Sequence, residues 1–436
     1  MTLPDMLRSL AETAPPRSVP PGLFDQARRR HRRRWAAALA VLMVLAGSGY
    51  GAILAADRRA PVAAGGPGLP GEVYDPPVWT AELDGGAMGP AAVAFWGDTV
   101  PEKPFSFGFP NSTALVGLSS DTYRIVYTSG DPGVVLSPDG RTALLAELDL
   151  NGAGSMTADD WRTDALDLVT GQRRTVATRA EPVSWSADGR HLLVVKPYYW
   201  PDAGTAGVPA DLVTVVAWPS ATEEWSVRVE RPRAVEGETY HYLALSPDAS
   251  RLAVTTSEQL RVYGRDGAIQ WQRGIGSDLL AGPAAWRGDG RLAVMRCAPC
   301  PGDWRVEFVD AGTGDPVSAA TYPAVPGLRP PRTIAWRADT AYVVAGPQLV
   351  SLSPGGAAPV RVLSMPPDVL DFTVAADYVD TIRAAGPPAF GFNPLPMVRQ
   401  ALDVLRVAAC VGLVVFLIWR VRRRRIERTQ IPPAPS

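Results

Sequence analysis

Lysine occurs at only two positions, Lys103 and Lys196, and the 436 residues hold three cysteines and three histidines. So few cysteines exclude a disulfide-dense scaffold, and so few Cys and His together leave no four-ligand zinc module. No G-x-S-x-G nucleophile elbow, phosphate-binding P-loop or H-E-x-x-H pair occurs, so no enzyme signature and no cofactor is assigned. The formal net charge of −1 hides an uneven distribution: residues 1–60 carry ten Arg against four acids and residues 399–436 eight Arg against two. Between them lie 25 basic and 38 acidic residues. An acidic body repels phosphate backbones and excludes nucleic acid as its partner. The 46% hydrophobic content and 13 Trp exclude wholesale disorder.

Long apolar runs are confined to the two basic ends. Residues 35–56 are free of charge for about 22 residues, enough for a ~30 Å hydrocarbon core, and Arg28–Arg34 flank them on the N-terminal side. A cleaved signal peptide would start earlier and be shorter, so this segment is read as an anchor. The second run, 401–419, includes Asp403 and Arg406 one helical turn apart, a pair suited to the headgroup level. Arg420 and the run Arg422–Arg425 follow it. Two spans with both termini cytoplasmic are expected, with the lipid bilayer itself as one partner.

Between the spans one hairpin is written repeatedly. Clear copies are "VVLSPDGRTALLA" at 134–146, "VSWSADGRHLLVV" at 183–195, "LALSPDASRLAVT" at 243–255, "AAWRGDGRLAVM" at 284–295 and "IAWRADTAYVVA" at 334–345. Weaker ones are "VAFWGDTV" at 93–100 and "FTVAADYVD" at 372–380. The turn chemistry is specific. Pro138 presets φ, Asp139 suits the next position, and Gly140 accepts the positive φ that follows a type I turn. The same structural role falls to Ser137, to Ser186, Asp188 and Gly189, to Ser246, Pro247 and Asp248, to Asp289 and Gly290, and to Asp339. The copies at Ala249 and Thr340 lack the glycine, so their turns are expected to differ in detail. Flanking strands are apolar on both faces, and a second strand pair follows each hairpin, as in "DALDLVTGQRRTVA" at 164–177. Four strands per unit, repeated every 40 to 60 residues, describe a β-propeller, because one such unit cannot bury both its faces alone.

These stretches resemble the TolB-like and WD-repeat-like propeller repeats, with Trp185, Ser186, Asp188, Gly189 and Arg190 matching the signature best. The Arg-, Ala-, Gly- and Pro-rich composition resembles that of chains from high-GC actinobacteria. The resemblance covers about residues 90–380 and implies an all-β fold. Seven motif sites give seven four-stranded blades, with six as the alternative and "VYDPPVWTAEL" at 73–83 available to close the last blade.

Three further features bear on chemistry. Cys297 and Cys300 in "RCAPCPG" follow one strand and precede another, so they sit at a hairpin tip rather than at the helix N-terminus that redox catalysis needs. A short structural disulfide is the reading preferred over redox catalysis or zinc. In "ELDLNGAGSMTADDW", Asp149, Asn151, Gly154 and Asp160 fall near calcium-loop spacing, but Ala153 stands where an oxygen ligand belongs. Leu3, Met6, Leu7 and Leu10 lie on one face of a short amphipathic helix in the leader. That leader resembles those of actinobacterial membrane proteins associated with extracytoplasmic-function sigma factors, although the H-x-x-x-C-x-x-C motif is absent.

The expected layout is a cytoplasmic leader at 1–34, a span at 35–56, a Pro/Gly-rich linker at 57–72, an extracytoplasmic propeller at 73–392, a span at 401–419 and a basic tail at 420–436. The expected role is a non-enzymatic binding, scaffold or sensor module for an envelope protein, peptide or glycan at the propeller face. Alternatives are a signalling regulator whose leader binds a cytoplasmic factor, and an envelope enzyme with a site in the propeller channel.

Overall fold

The computed structural model describes residues 66–386 apart from 77–79, 84–85, 99, 101–110, 129–133, 149–160, 179, 197–209, 231–242, 257–258, 275, 277, 298–301 and 328. All of them belong to the second of two compact units, 59–436. Among the described residues no helix is long and apolar enough to cross a membrane. The two spans, the leader and the basic tail lie outside them.

The described elements are β-strands, with one 3-10 turn at Ala376–Tyr378. They form six sheets of antiparallel strands, the blades of a β-propeller. Blade 2 runs Val134–Leu136, Thr142–Leu148, Trp161–Asp167 and Arg173–Thr178; blade 3 runs Glu181–Trp185, His191–Lys196, Ala210–Ala217 and Thr222–Glu230. Blade 4 comprises Leu243–Leu245, Arg251–Thr255, Gln259–Gly264 and Ile269–Gly274. Blade 5 starts at Leu279–Leu280 and continues through Arg291–Cys297 and Gly302–Asp310, which pairs with both Pro316–Val317 and Val325–Gly327. Blade 6 comprises Arg332–Arg337, Thr340–Ala345, Gln348–Leu352 and Val360–Ser364.

Blade 1 corrects the count of seven. Its strands Ala91–Gly97, Asn111–Gly117 and Tyr123–Thr128 are completed by Val369–Val374, with Phe95 opposite Phe372 and Val93 opposite Val374. The weak sites at 93–100 and 372–380 are therefore two halves of one hairpin, separated in sequence because the ring must close on itself. Each looks like a degraded copy because each carries only one of the two strands. Residues 81–83 lie along the outer edge of this blade, where Leu83 N donates to Ile125 O and Ile125 N to Ala81 O, and they close nothing.

Packing follows the radial position. The second strand of blade 3 buries Leu192, Leu193, Val194 and Val195 completely, since both of its faces meet neighbouring blades. The outermost strand, Thr222–Glu230, alternates between buried and exposed residues, as a half-solvated strand does. A second closure lies outside the blades. Leu69–Pro70, within the stretch read as linker, pairs in parallel with Ile382–Arg383. The Arg383 guanidinium then reaches the carbonyls of Gly117, Leu118 and Ser120 and the carboxylate of Asp121 in blade 1.

Turn geometry separates copies that look alike in sequence. Gly140 and Gly189 both hold φ +68, but a Cβ on Gly140 would lie 2.1 Å from Ala91 O, whereas on Gly189 its nearest neighbour is 3.7 Å away. Ala249 adopts the same left-handed conformation at φ 55, so that turn does not differ from its glycine-bearing counterparts. At blade 6 the turn does differ: Arg337 pairs with Thr340 across a two-residue loop in which Ala338 takes φ 49. Gly189→Ala is expected to cost about 1–2 kcal/mol for the left-handed backbone alone. Gly140→Ala should cost clearly more, because Ala91 N also donates to Gly140 O and the two strands cannot separate. Paired urea unfolding curves check the difference, and equal midpoints would count against it.

Candidate functional site: the axial cavity

The turns between the first and second strands of blades 2 to 6, with Ala376 and Asp377 after the first strand of blade 1, surround one mouth of the propeller axis. Three are built alike. Ser137 Oγ donates to Asp139 Oδ1 at 2.6 Å, Arg141 N donates to the same oxygen, and Thr142 N donates to Ser137 Oγ. Ser186 with Asp188, and Ser246 with Asp248, repeat the arrangement. These carboxylates are spent on their own turns. Pro138 and Pro247 lie at the cavity wall beside them. In blades 5 and 6, Asp289 and Asp339 both pair with Arg287, at 3.2 and 2.7 Å, and Gly290 N completes the blade 5 turn by donating to Arg287 O.

The Ser246 hydroxyl, helped by Ser250, holds the Asp248 carboxyl down at about 2. A carboxyl depressed in the folded state stabilises the fold above its unfolded pKa of ~3.9 and loses that contribution as pH falls towards the folded value. Ser246→Ala is expected to raise the Asp248 pKa and to reduce the loss of stability between pH 4 and pH 2. Carbon-detected NMR titration of the aspartates checks this, and an unmoved resonance would contradict it.

Inside this mouth, first-strand and turn residues of all six blades enclose a cavity of about 420 Å³. Its wall has two characters. Blades 2, 3 and 4 contribute only apolar and uncharged groups, among them Val135, Val183, Ser184 and Leu245. Every charged residue of the wall comes from the other half: Arg287, Asp289, Arg332, Arg337 and Asp377. Arg332 pairs with Asp371 and donates to Phe372 O; Arg337 donates to Ala376 O at 2.7 Å. Burial pulls the Arg287 guanidinium down, but its bond to Asp339 and the nearby Asp289 outweigh this and hold it above its ordinary value.

Three tryptophans recur immediately before the turn, and each donates its indole N–H to a backbone carbonyl of the preceding blade, in its first strand for Trp185 and Trp286 and in the segment after it for Trp336. Trp185 Nε1 reaches Val135 O at 3.4 Å, Trp286 Nε1 reaches Ala244 O at 2.9 Å, and Trp336 Nε1 reaches Ala284 O at 2.6 Å. These carbonyls lie on the inward edge of a blade, where no further strand pairs with them, so the indoles satisfy groups that would otherwise be stranded. Sequence reasoning missed this role, although the signal was present: "SW" or "AW" precedes the turn in three of six copies. Ser184 and Arg332 carried no local signal.

Among the described residues the wall contains no His, Cys, Glu, Lys or Tyr. His191 lies elsewhere, half-buried, with Nε2 3.6 Å from Glu224. Cys297 is buried and disulfide-bonded, opposite Trp304, while Cys300, His241 and the calcium-like loop residues Asp149, Asn151, Gly154 and Asp160 lie outside the described residues. Among the described residues no group of three or more His, Cys, Asp or Glu is placed to hold a metal.

No protein-family model and no curated protein matches the sequence. Solved structures with a similar fold include TolB from Acinetobacter baumannii, at 12% identity and a TM-score of 0.32, covering 65% of this chain and 66% of that one. A putative TolB from Agrobacterium tumefaciens matches at 16% identity and a TM-score of 0.29 over 53% of this chain and 88% of that one. The β-propeller domain of the trilobed protease from Pyrococcus furiosus matches at 11% identity and a TM-score of 0.31 over 60% and 89%. At these scores the likeness carries no argument of its own; the six sheets of the described residues make the chain a six-bladed β-propeller.

Proposed function

We propose that the chain is a membrane-anchored, extracytoplasmic propeller that works by binding, with the axial cavity and its surrounding turns as the recognition face for an envelope protein, peptide or glycan. The observation that carries this reading is the cavity: six blades converge on it, and among the described residues its wall offers aromatic, apolar and polar surface without a base beside a nucleophile. Its volume lies in the ~300–1,000 Å³ range of ligand pockets, and polar groups share its accessible wall about equally with apolar ones. Anchoring rests on the two apolar, arginine-flanked runs at 35–56 and 401–419. The disulfide at Cys297, for which the sequence offers Cys300 as partner, belongs to the same reading, since an oxidising envelope compartment would keep it closed.

In-cell crosslinking and capture of the full chain, beside a version lacking residues 2–27, tests the proposal. Recovery of the same envelope partner with both versions supports it. A cytoplasmic factor recovered only when the leader is present would replace it with a signalling regulator.

A further inference from the structure

We propose that the mouth of the axial cavity is turned towards the bilayer and that its partner is an uncharged or basic extracytoplasmic segment of another membrane protein. The inference rests on the anchored, binding reading above and adds where the partner is held.

The carrying observation is where the chain enters and leaves the propeller. Gly68 N donates to Leu118 O at 3.1 Å, and Gly386 N donates to the Asp121 carboxylate at 3.1 Å. Both ends therefore flank one turn, the one that joins Gly117 to Tyr123 in blade 1. That turn lies on the side of the cavity mouth. Leu118 N donates to Pro90 O, and the next residue, Ala91, donates its N–H to Gly140 O in the blade 2 turn whose Pro138 lines the cavity. The opposite face is the far end of strands such as Asn111–Gly117, about 20 Å away at ~3.4 Å per residue.

Chain length then limits the gap. Residues 57–65 separate the first apolar run from Gly66, and 387–400 separate Gly386 from the second. Fully extended, these stretches reach at most about 30 Å and about 50 Å. A free folded domain of ~100 residues, with a radius of gyration of ~13 Å, is already about 30–35 Å across. It would fill or exceed the space that the shorter tether allows, whereas a segment held at the bilayer surface fits. Charge selects among what that surface offers. Among the charged groups of the mouth and their ion-pair partners, the exposed ones are Asp339, Asp377 and Asp380, between 49% and 71% exposed. The arginines Arg287, Arg332 and Arg337 lie between 9% and 36%. The mouth thus shows mainly carboxylate outwards, which repels anionic headgroups and suits an uncharged or basic polypeptide.

Two measurements on the full chain test this. In lipid nanodiscs, a donor dye is placed at Ala187→Cys, exposed at the mouth, or at Leu370→Cys, exposed on the opposite face, each in a Cys410→Ser background. An acceptor dye sits on the lipid headgroups. Transfer from Ala187→Cys is expected to be about twofold or more that from Leu370→Cys, given the ~20 Å between the faces. Equal transfer, or more from Leu370→Cys, would overturn the orientation. A chain that does not stay with the nanodiscs would instead overturn the anchored reading. In cells, p-benzoylphenylalanine replaces Ala187 or Leu370 and is photolysed, and protease sites placed within 57–65 and 387–400 then cut the propeller from its own anchors. A protein adduct formed at Ala187 that stays in the membrane after cutting is the expected result. An adduct released in soluble form, an adduct with lipid, or adducts at Leu370 alone would overturn the membrane-held partner. No adduct at either position would overturn the mouth as the recognition face.

Discussion

Arg383→Met is expected to lower the stability of the propeller by about 3–5 kcal/mol, the range for removing one member of a buried charged pair. The side chain is 3% exposed and donates to Leu118 O at 3.2 Å, Gly117 O at 3.0 Å and Ser120 O at 2.9 Å, besides its pair with Asp121. Methionine fills similar volume but removes a donor from all three carbonyls, of which Leu118 O keeps Gly68 N, and leaves the carboxylate without its cation, in a place water reaches poorly. Arg383→Lys should recover only part of the loss, because a single ammonium cannot reproduce a planar fork serving four acceptors on one loop. Denaturant unfolding followed by tryptophan fluorescence measures both variants. A shift below about 1 kcal/mol for Arg383→Met would show that the loop relaxes and that the clasp contributes little.

Phe372→Ala is expected to cost about 3–5 kcal/mol, through lost burial and the cavity left behind. Phe372 is fully buried, sits opposite the equally buried Phe95, and belongs to the core shared by blades 6 and 1. Its strand is the one that closes the ring within blade 1, so the substitution weakens the longer of the two described main-chain ladders joining the end of the propeller to its beginning. Leu370 lies two residues away on the same strand but is 56% exposed. Leu370→Ala should stay within about ±0.5 kcal/mol, typical of surface positions. The contrast between the two, read from unfolding curves and from the rate of limited proteolysis, tests whether the closure depends on packing. Similar losses for both would mean that it depends on the strand's backbone pairing alone.

How much of this was visible in the sequence depended on whether the cause was local. The turns were, because Pro138, Asp139 and Gly140 each serve a backbone angle fixed within four residues. The stacking of blades was also visible, since strands such as His191–Lys196 are apolar on both faces. The count of blades was not. It depends on Val369–Val374 pairing with a strand more than 250 residues earlier, and nothing within either segment announces its partner. Arg383 looks like any other arginine near the end of the propeller until the loop at Gly117–Asp121 is placed beside it. The cavity falls between these cases. Its tryptophans repeat at a fixed position and could have been recognised as a set, whereas the side on which it opens becomes clear only when Gly68 and Gly386 are placed beside the turn after Gly117.

The parallel pairing of Leu69–Pro70 with Ile382–Arg383 has a mechanical consequence. The chain comes into this short ladder from one end and leaves it from the other. Tension applied through the flanking segments therefore slides the two strands along each other and strains their cross-links together instead of unzipping them in turn. The force path runs from residue 70 across to residue 382 and bypasses the ring. A tether pulled at both ends would load the clasp and leave the six blades, and the geometry of the cavity between them, at rest.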